Sequence, residues 1–140
     1  MAVLTYDNDG QRQLLTTAKV IAVVGHSDRP YRTSYQIARF LRRTGYTVYA
    51  VNPTITEIDG ESSYPSLAAV PEPIDIVDVF RRSAYLPEVV DEAIAVGARC
   101  VWAQLGVFIA DEAVQRALNA GLDVIMDTCI KVSYARLIRV

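Results

Sequence analysis

Two kinds of apolar pattern alternate along this chain. Short, nearly unbroken apolar runs are separated by stretches in which apolar positions recur every three or four residues. The first kind marks strands buried on both faces, and the second marks helices that bury one stripe. Residues 19–24 (KVIAVV) open the series as a strand. A polar, proline-containing loop over 25–32 leads to a helix over 33–44, with Ile37, Ala38 and Leu41 on one face and Gln36, Arg39, Arg42 and Arg43 elsewhere. Gly45 closes that helix, as a glycine just past a helix end does. A second strand over 47–51 stops at Asn52-Pro53, since proline cannot continue a central ladder. An Asp59-Gly60 turn signal marks a small excursion within 55–63.

Residues 66–70 read as a short helix and 75–80 (DIVDVF) as the third strand. The helix over 86–96 turns Leu86, Val89, Val90, Ala93 and Ile94 inward and Glu88, Asp91 and Glu92 outward. A fourth strand covers 100–104, a helix capped by Asp111 and closed by Gly121 covers 111–120, and a fifth strand covers 123–126. A terminal helix covers 130–138, and a short helix over 11–17 precedes the first strand. Repeated strand–helix alternation with short connections requires right-handed crossovers and a parallel sheet covered on both faces. The expected fold is a three-layer, Rossmann-like α/β fold with a five-stranded parallel sheet, making one domain of residues 1–140.

In such a sheet ligands bind beyond the carboxyl ends of the strands, near the switch point of strand order. The first loop is the most telling. It joins a buried strand to a helix start, where free backbone N–H groups and the helix dipole favour an anion. Gly25 permits close approach of the backbone, Ser27, Thr33 and Ser34 add hydroxyls, and Arg29 and Arg32 add positive charge. A phosphate or diphosphate is the natural guest; ordinary turn and cap duties are the plain alternative. The loop is not G-x-G-x-x-G, and the second strand ends in Asn52 rather than an acid. Both departures weaken a nicotinamide dinucleotide reading.

Composition narrows the classes further. A net charge of -2 argues against non-specific nucleic-acid or membrane binding, and no apolar stretch is long enough to span a bilayer. Cys100 and Cys129 form neither a disulfide framework nor a zinc pattern. With no apolar run near Met1 to suggest a signal peptide, a reduced, cytoplasmic setting is expected. The sole histidine, His26, has no nucleophile or orienting acid identifiable as its catalytic partner, so it reads as a loop residue facing ligand or solvent. Cys100 reads as core, Cys129 as a buried, inert thiol and Trp102 as packed under a helix.

The blocks VVGHSDRPYRTSYQIARFLRRTGYTVYAVNP, YPSLAAVPEPIDIVDVFRRS, VWAQLGV and GLDVIMDTCIKV resemble, in order and spacing, the CoA-binding family related to the N-terminal domain of the succinyl-CoA synthetase alpha subunit. The resemblance runs from about residue 19 to the end of the chain. It implies coenzyme A as the ligand. The turn Gly25-His26-Ser27, backed by Arg29, Ser34 and Tyr35, would hold the diphosphate. Asn52 and Pro53 would lie along the adenosine, and Phe80, Arg81 and Arg82 would line the nucleotide's other side. Gln104 and Gly106 would lie near the pantetheine arm. The family often has a small residue where His26 stands, which singles that side chain out.

Three functions compete. The first is a CoA or acyl-CoA binding module without a complete catalytic site, with no catalytic residue and no metal assigned. The second is a subunit or accessory part of an NDP-forming acyl-CoA synthetase or another CoA-dependent enzyme, which would need a partner subunit. The third and weakest is an NAD(P)-binding oxidoreductase. A homodimer is compatible with the first.

Overall fold

In the computed structural model, described over residues 1–138, the first apolar run is strand β1, Val20–Val24, buried at every residue. Six strands join it: β2 (Thr47–Val51), β3 (Glu57–Ile58), β4 (Glu61–Tyr64), β5 (Ile76–Val79), β6 (Cys100–Ala103) and β7 (Asp123–Ile125). They form one sheet in the order β3-β4-β2-β1-β5-β6-β7. Every neighbouring pair is parallel except β3 with β4.

The α/β class is as expected, but the sheet has seven strands rather than five. The two additions come from the 55–63 excursion. Asp59 and Gly60 both take positive φ, 52° and 83°, the tight hairpin geometry that Asp-Gly favours. The returning strand β4 then lies parallel to β2, with Ala50 opposite Ser63 and Val51 opposite Tyr64. Among the parallel strands alone, counted in chain order, the spatial order is 3-2-1-4-5-6, and it reverses between β1 and β5.

The helices are α1 (Asn8–Thr17), α2 (Thr33–Arg43), α3 (Leu86–Val96), α4 (Asp111–Asn119) and α5 (Ile130–Leu137). On one face, Val89, Val90 and Ala93 of α3 and Ala113 and Ala117 of α4 pack on Ala22, Val24, Val77 and Val101. On the other, Leu14 and Leu15 of α1, Ile37 and Leu41 of α2 and Ile130 of α5 pack on Ile21, Val23, Ile76 and Trp102. Side chains of period two from each strand feed both cores, giving helix, sheet and helix layers.

Two local expectations need correction and one narrows. Helix α1 starts at Asn8 rather than 11, because the Asp7 side chain accepts from Gly10 N and so caps it. The short helix expected over 66–70 is a single 3-10 turn, Leu67–Ala69. The N-cap of α4 is Ala110, without a side-chain cap, and Asp111 occupies the first turn, where its charge still complements the dipole. Cys100 and Trp102 are buried as expected, and the indole Nε1–H donates to Thr128 O at 2.9 Å. The outer edge of β7 is covered by the N-terminal segment, with Leu4 N donating to Val124 O at 2.8 Å. Among the described residues no helix is long and apolar enough to cross a membrane.

Candidate functional site

Three cavities of about 590, 550 and 380 Å³ open at the carboxyl ends of the parallel strands. They adjoin one another. The first and second share Gly25, Asn52 and Thr54, and the first and third share Thr33 and Phe80. The groove therefore straddles β1 and β5, where the strand order reverses.

The first cavity is built on the turn after β1. Gly25 N donates to Val51 O at 2.8 Å, tying the turn to β2. Gly25 has φ +86°, and a Cβ there would lie 3.2 Å from Phe80 O, so conformation and space both call for glycine. Beyond it, Ser27 N donates to Ser34 Oγ at 3.0 Å, and Arg29 N donates to Ser27 Oγ at 3.0 Å. These two amides are thus met by hydroxyls, and each hydroxyl retains its own proton to offer a guest anion. Asn52 Nδ2 donates to His26 O at 3.1 Å, which occupies a carbonyl that would repel an anion.

Helix α2 starts at Thr33 on the same cavity, with Arg32 at its N-cap and no side-chain cap bond. Its first-turn amides are open to an external acceptor. Arg29 and Arg32 line this cavity, with Asp28 as the opposing charge.

The second cavity lies between the ends of β1 and β2 and the start of α3. Pro53 and Arg81 line it, and so do Glu88 and Glu92. The outward face of α3 is therefore a cavity wall rather than plain solvated surface. The Arg81 guanidinium stacks 4.0 Å above the Tyr85 ring.

The third cavity has apolar walls from Ile37, Phe80, Leu105 and Val107, with Thr33, Gln104 and Cys129 as its polar members. Gln104 Nε2 donates to the carboxyl of Asp78 on β5, and Gln104 Oε1 accepts from Ile130 N at 3.4 Å. Asp78 is completely buried, and burial pushes its pKa up to about 8 against the lowering effect of Gln104. Cys129, expected to be buried, is half-buried and reaches the cavity wall.

Of the residues anticipated from sequence, Gly25, Ser27, Arg29, Ser34, Asn52, Pro53, Phe80, Arg81 and Gln104 line this groove. His26, Tyr35, Arg82 and Gly106 line none of the three cavities. His26 is completely buried, which corrects its reading as a loop residue facing ligand or solvent. Tyr35 donates its hydroxyl to Asp59, and Arg82 is exposed at the N-cap of a 3-10 turn. Gly106 N donates to Asp127 Oδ1 at 2.8 Å.

Thr54 was missed, although Asn-Pro-Thr is a turn signal of its own. Thr54 N and Oγ1 both donate to Asn52 Oδ1, at 3.0 and 2.8 Å, orienting the Asn52 amide. Leu105 follows the fourth strand and is a strand-end position, whereas Val107, a lone apolar loop residue with no periodic signal, was missed.

A family model described as a CoA binding domain matches residues 19–135, a span that opens just before β1 and holds every wall of the groove. The chain belongs to the CoA-binding domain family. This CoA-binding domain protein is 46% identical over 124 residues to the uncharacterised protein YneT of Bacillus subtilis, covering 89% of this chain and 91% of that one. It is 38% identical over 74 residues to an ADP-forming acetate–CoA ligase of Archaeoglobus fulgidus, spanning 53% of this chain but 11% of the ligase. A solved structure from Pyrococcus horikoshii superposes with a TM-score of 0.91 at 34% identity, covering 99% of this chain and 96% of that chain.

Proposed function

We propose that this protein binds coenzyme A or an acyl-CoA as a ligand along the strand ends, as a single Rossmann-like module without a complete catalytic site of its own. The observation that carries this reading is the run of three adjoining cavities centred on the Gly25 turn. Their chemistry changes in the order that CoA requires. A diphosphate suits the first, with its hydroxyls, open helix amides and arginines. Adenosine suits the second, beside Asn52 and Pro53, and the pantetheine arm suits the apolar third, with Gln104 as an amide partner. The parallel strand order 3-2-1-4-5-6 is that of nucleotide-binding doubly wound sheets, and the free thiols Cys100 and Cys129 suit a cytoplasmic setting.

A second reading, a subunit of a larger CoA-dependent enzyme, has its own support. Leu105 and Phe108 are 73% and 52% exposed on the loop that walls the third cavity, where the reactive end of the ligand would emerge. Apolar groups so exposed suit a partner surface. Thermal shift and calorimetry with CoA, acetyl-CoA, NAD and ATP test the first reading, because a ligand of the native state raises apparent stability by mass action. CoA is expected to stabilise the protein; stabilisation by NAD and not CoA would refute the reading. Co-purification of a nucleotide-dependent ligase subunit would favour the second.

A further inference from the structure

His26 walls none of the groove's three cavities, yet it is completely buried with both ring nitrogens engaged. Nδ1 lies 2.7 Å from Ser27 O. A carbonyl oxygen only accepts, so Nδ1 carries the proton. Nε2 lies 3.2 Å from Arg42 Nη1. A guanidinium only donates, so Nε2 offers its lone pair. Together these contacts permit one form of the ring, neutral with the proton on Nδ1.

The consequence reaches the first cavity. An anion site fails if carbonyl oxygens face the guest. The two carbonyls next to Gly25 in this turn belong to His26 and Ser27. Asn52 Nδ2 holds the first, and the His26 ring holds the second. With Ser27 O held by the ring, Ser27 N lies against Ser34 Oγ at 3.0 Å and Ser27 Oγ takes Arg29 N at 3.0 Å. The orientation of the peptide unit that carries Ser27 O therefore depends on a side chain behind the turn.

We propose that His26 is a positioning residue for diphosphate binding, holding the Ser27 carbonyl off the cavity in its neutral Nδ1–H form, and that protonating the ring weakens the site. The inference rests on the CoA reading. The groups facing the ring come from several elements. Arg42 and Tyr35 project from α2, with the Tyr35 ring edge-on at 6.0 Å. Asp59 acts from the β3–β4 turn, and Glu61 on β4 acts on Arg42. Burial first, and then Arg42, lower the pKa of His26 from 6.5, against Ser27 O and Asp59. A proton on Nε2 removes the acceptor for Arg42 and sets two cations side by side in a part-buried contact.

The sign separates this role from direct contact. A cationic histidine paired with the diphosphate would bind CoA more tightly as pH falls; a neutral positioning histidine binds it less tightly. Calorimetric titration of the whole protein with CoA between pH 8 and pH 5, on wild type, His26→Ala and His26→Asn, decides between them. Asparagine places an amide N–H near the Nδ1 position, so it restores the hold on Ser27 O without a titrating group. At pH 8 His26→Ala is expected to weaken CoA binding by about tenfold, and His26→Asn to recover most of that loss. The 3′-phosphate of CoA titrates identically against both proteins, so the wild-type to His26→Asn affinity ratio isolates the ring. That ratio should fall on acidification. A constant or rising ratio overturns the inference, as does His26→Ala binding like wild type. If His26→Ala fails to fold, the ratio still decides. Failure of wild type to bind CoA at pH 8 would instead refute the CoA reading, and the inference with it.

Discussion

The Gln104 side chain donates to Asp78 while Asp78 Oδ2 lies buried with no hydrogen-bond partner among the described residues. A carboxyl so placed stays protonated well into the neutral range, at a pKa of about 8. Its sign is that of an acid raised by folding. No penalty exists below the unfolded pKa of 3.8, and the penalty grows as pH rises towards about 8. Each unit in that window costs on the order of 1.4 kcal/mol. Asp78→Asn keeps an oxygen for Gln104 and removes the ionisation. Its unfolding midpoint in denaturant should approach that of wild type near pH 4 and exceed it increasingly towards pH 8. Parallel curves would show that Asp78 ionises freely in the fold.

Ser34 is the acceptor for Ser27 N and lines the first cavity. Ser34→Ala leaves that amide unmet and removes a hydroxyl proton from the anion site. CoA affinity should drop roughly tenfold or more while the fold loses about 1–2 kcal/mol. Calorimetry beside thermal unfolding checks both; undiminished affinity would place the diphosphate elsewhere.

At Gly25 a methyl group meets Phe80 O at 3.2 Å and Arg81 Cγ at 3.3 Å, on a backbone at φ +86°. Gly25→Ala should cost about 1–3 kcal/mol of stability and abolish CoA binding at temperatures where the variant is folded. Retained binding would mean that the turn moves freely and does not shape the pocket.

The arginines of the groove should differ in what they do. Arg29 and Arg32 line the first cavity, so Arg29→Ala and Arg32→Ala should each weaken CoA binding several-fold and flatten its decline with added salt. Arg81 is held on the Tyr85 ring beside Glu88 and Glu92. Arg81→Ala should therefore change the salt slope less than either. Affinities at low and high sodium chloride separate the three, and an Arg81 effect larger than both others would move the phosphate to the second cavity.

Sequence patterning located the central strands because a parallel sheet covered on both faces forces unbroken apolar runs such as VIAVV in β1. It missed β3 and β4 as strands because ESSY at the sheet's edge has no such burial to announce it. The Asp59-Gly60 turn between them was legible, since positive φ at both positions is a local demand. Strand-end rules found Gly25, Asn52, Arg81 and Gln104, because topology alone brings those tips together. They misjudged His26, whose ring meets Tyr35 and Arg42 of α2, nine and sixteen positions along the chain. Glu88 and Glu92 face away from the core, as helical periodicity requires, but periodicity does not say whether that face meets water or a cavity.

Trp102 is the only tryptophan of the chain, fully buried and paired in register with Asp78 on the neighbouring strand. Its indole therefore sits in the electric field of a carboxyl that changes charge near pH 8. Emission wavelength is sensitive to such a field, so the folded protein carries its own optical indicator: the colour of its fluorescence should shift as Asp78 ionises, with no label attached.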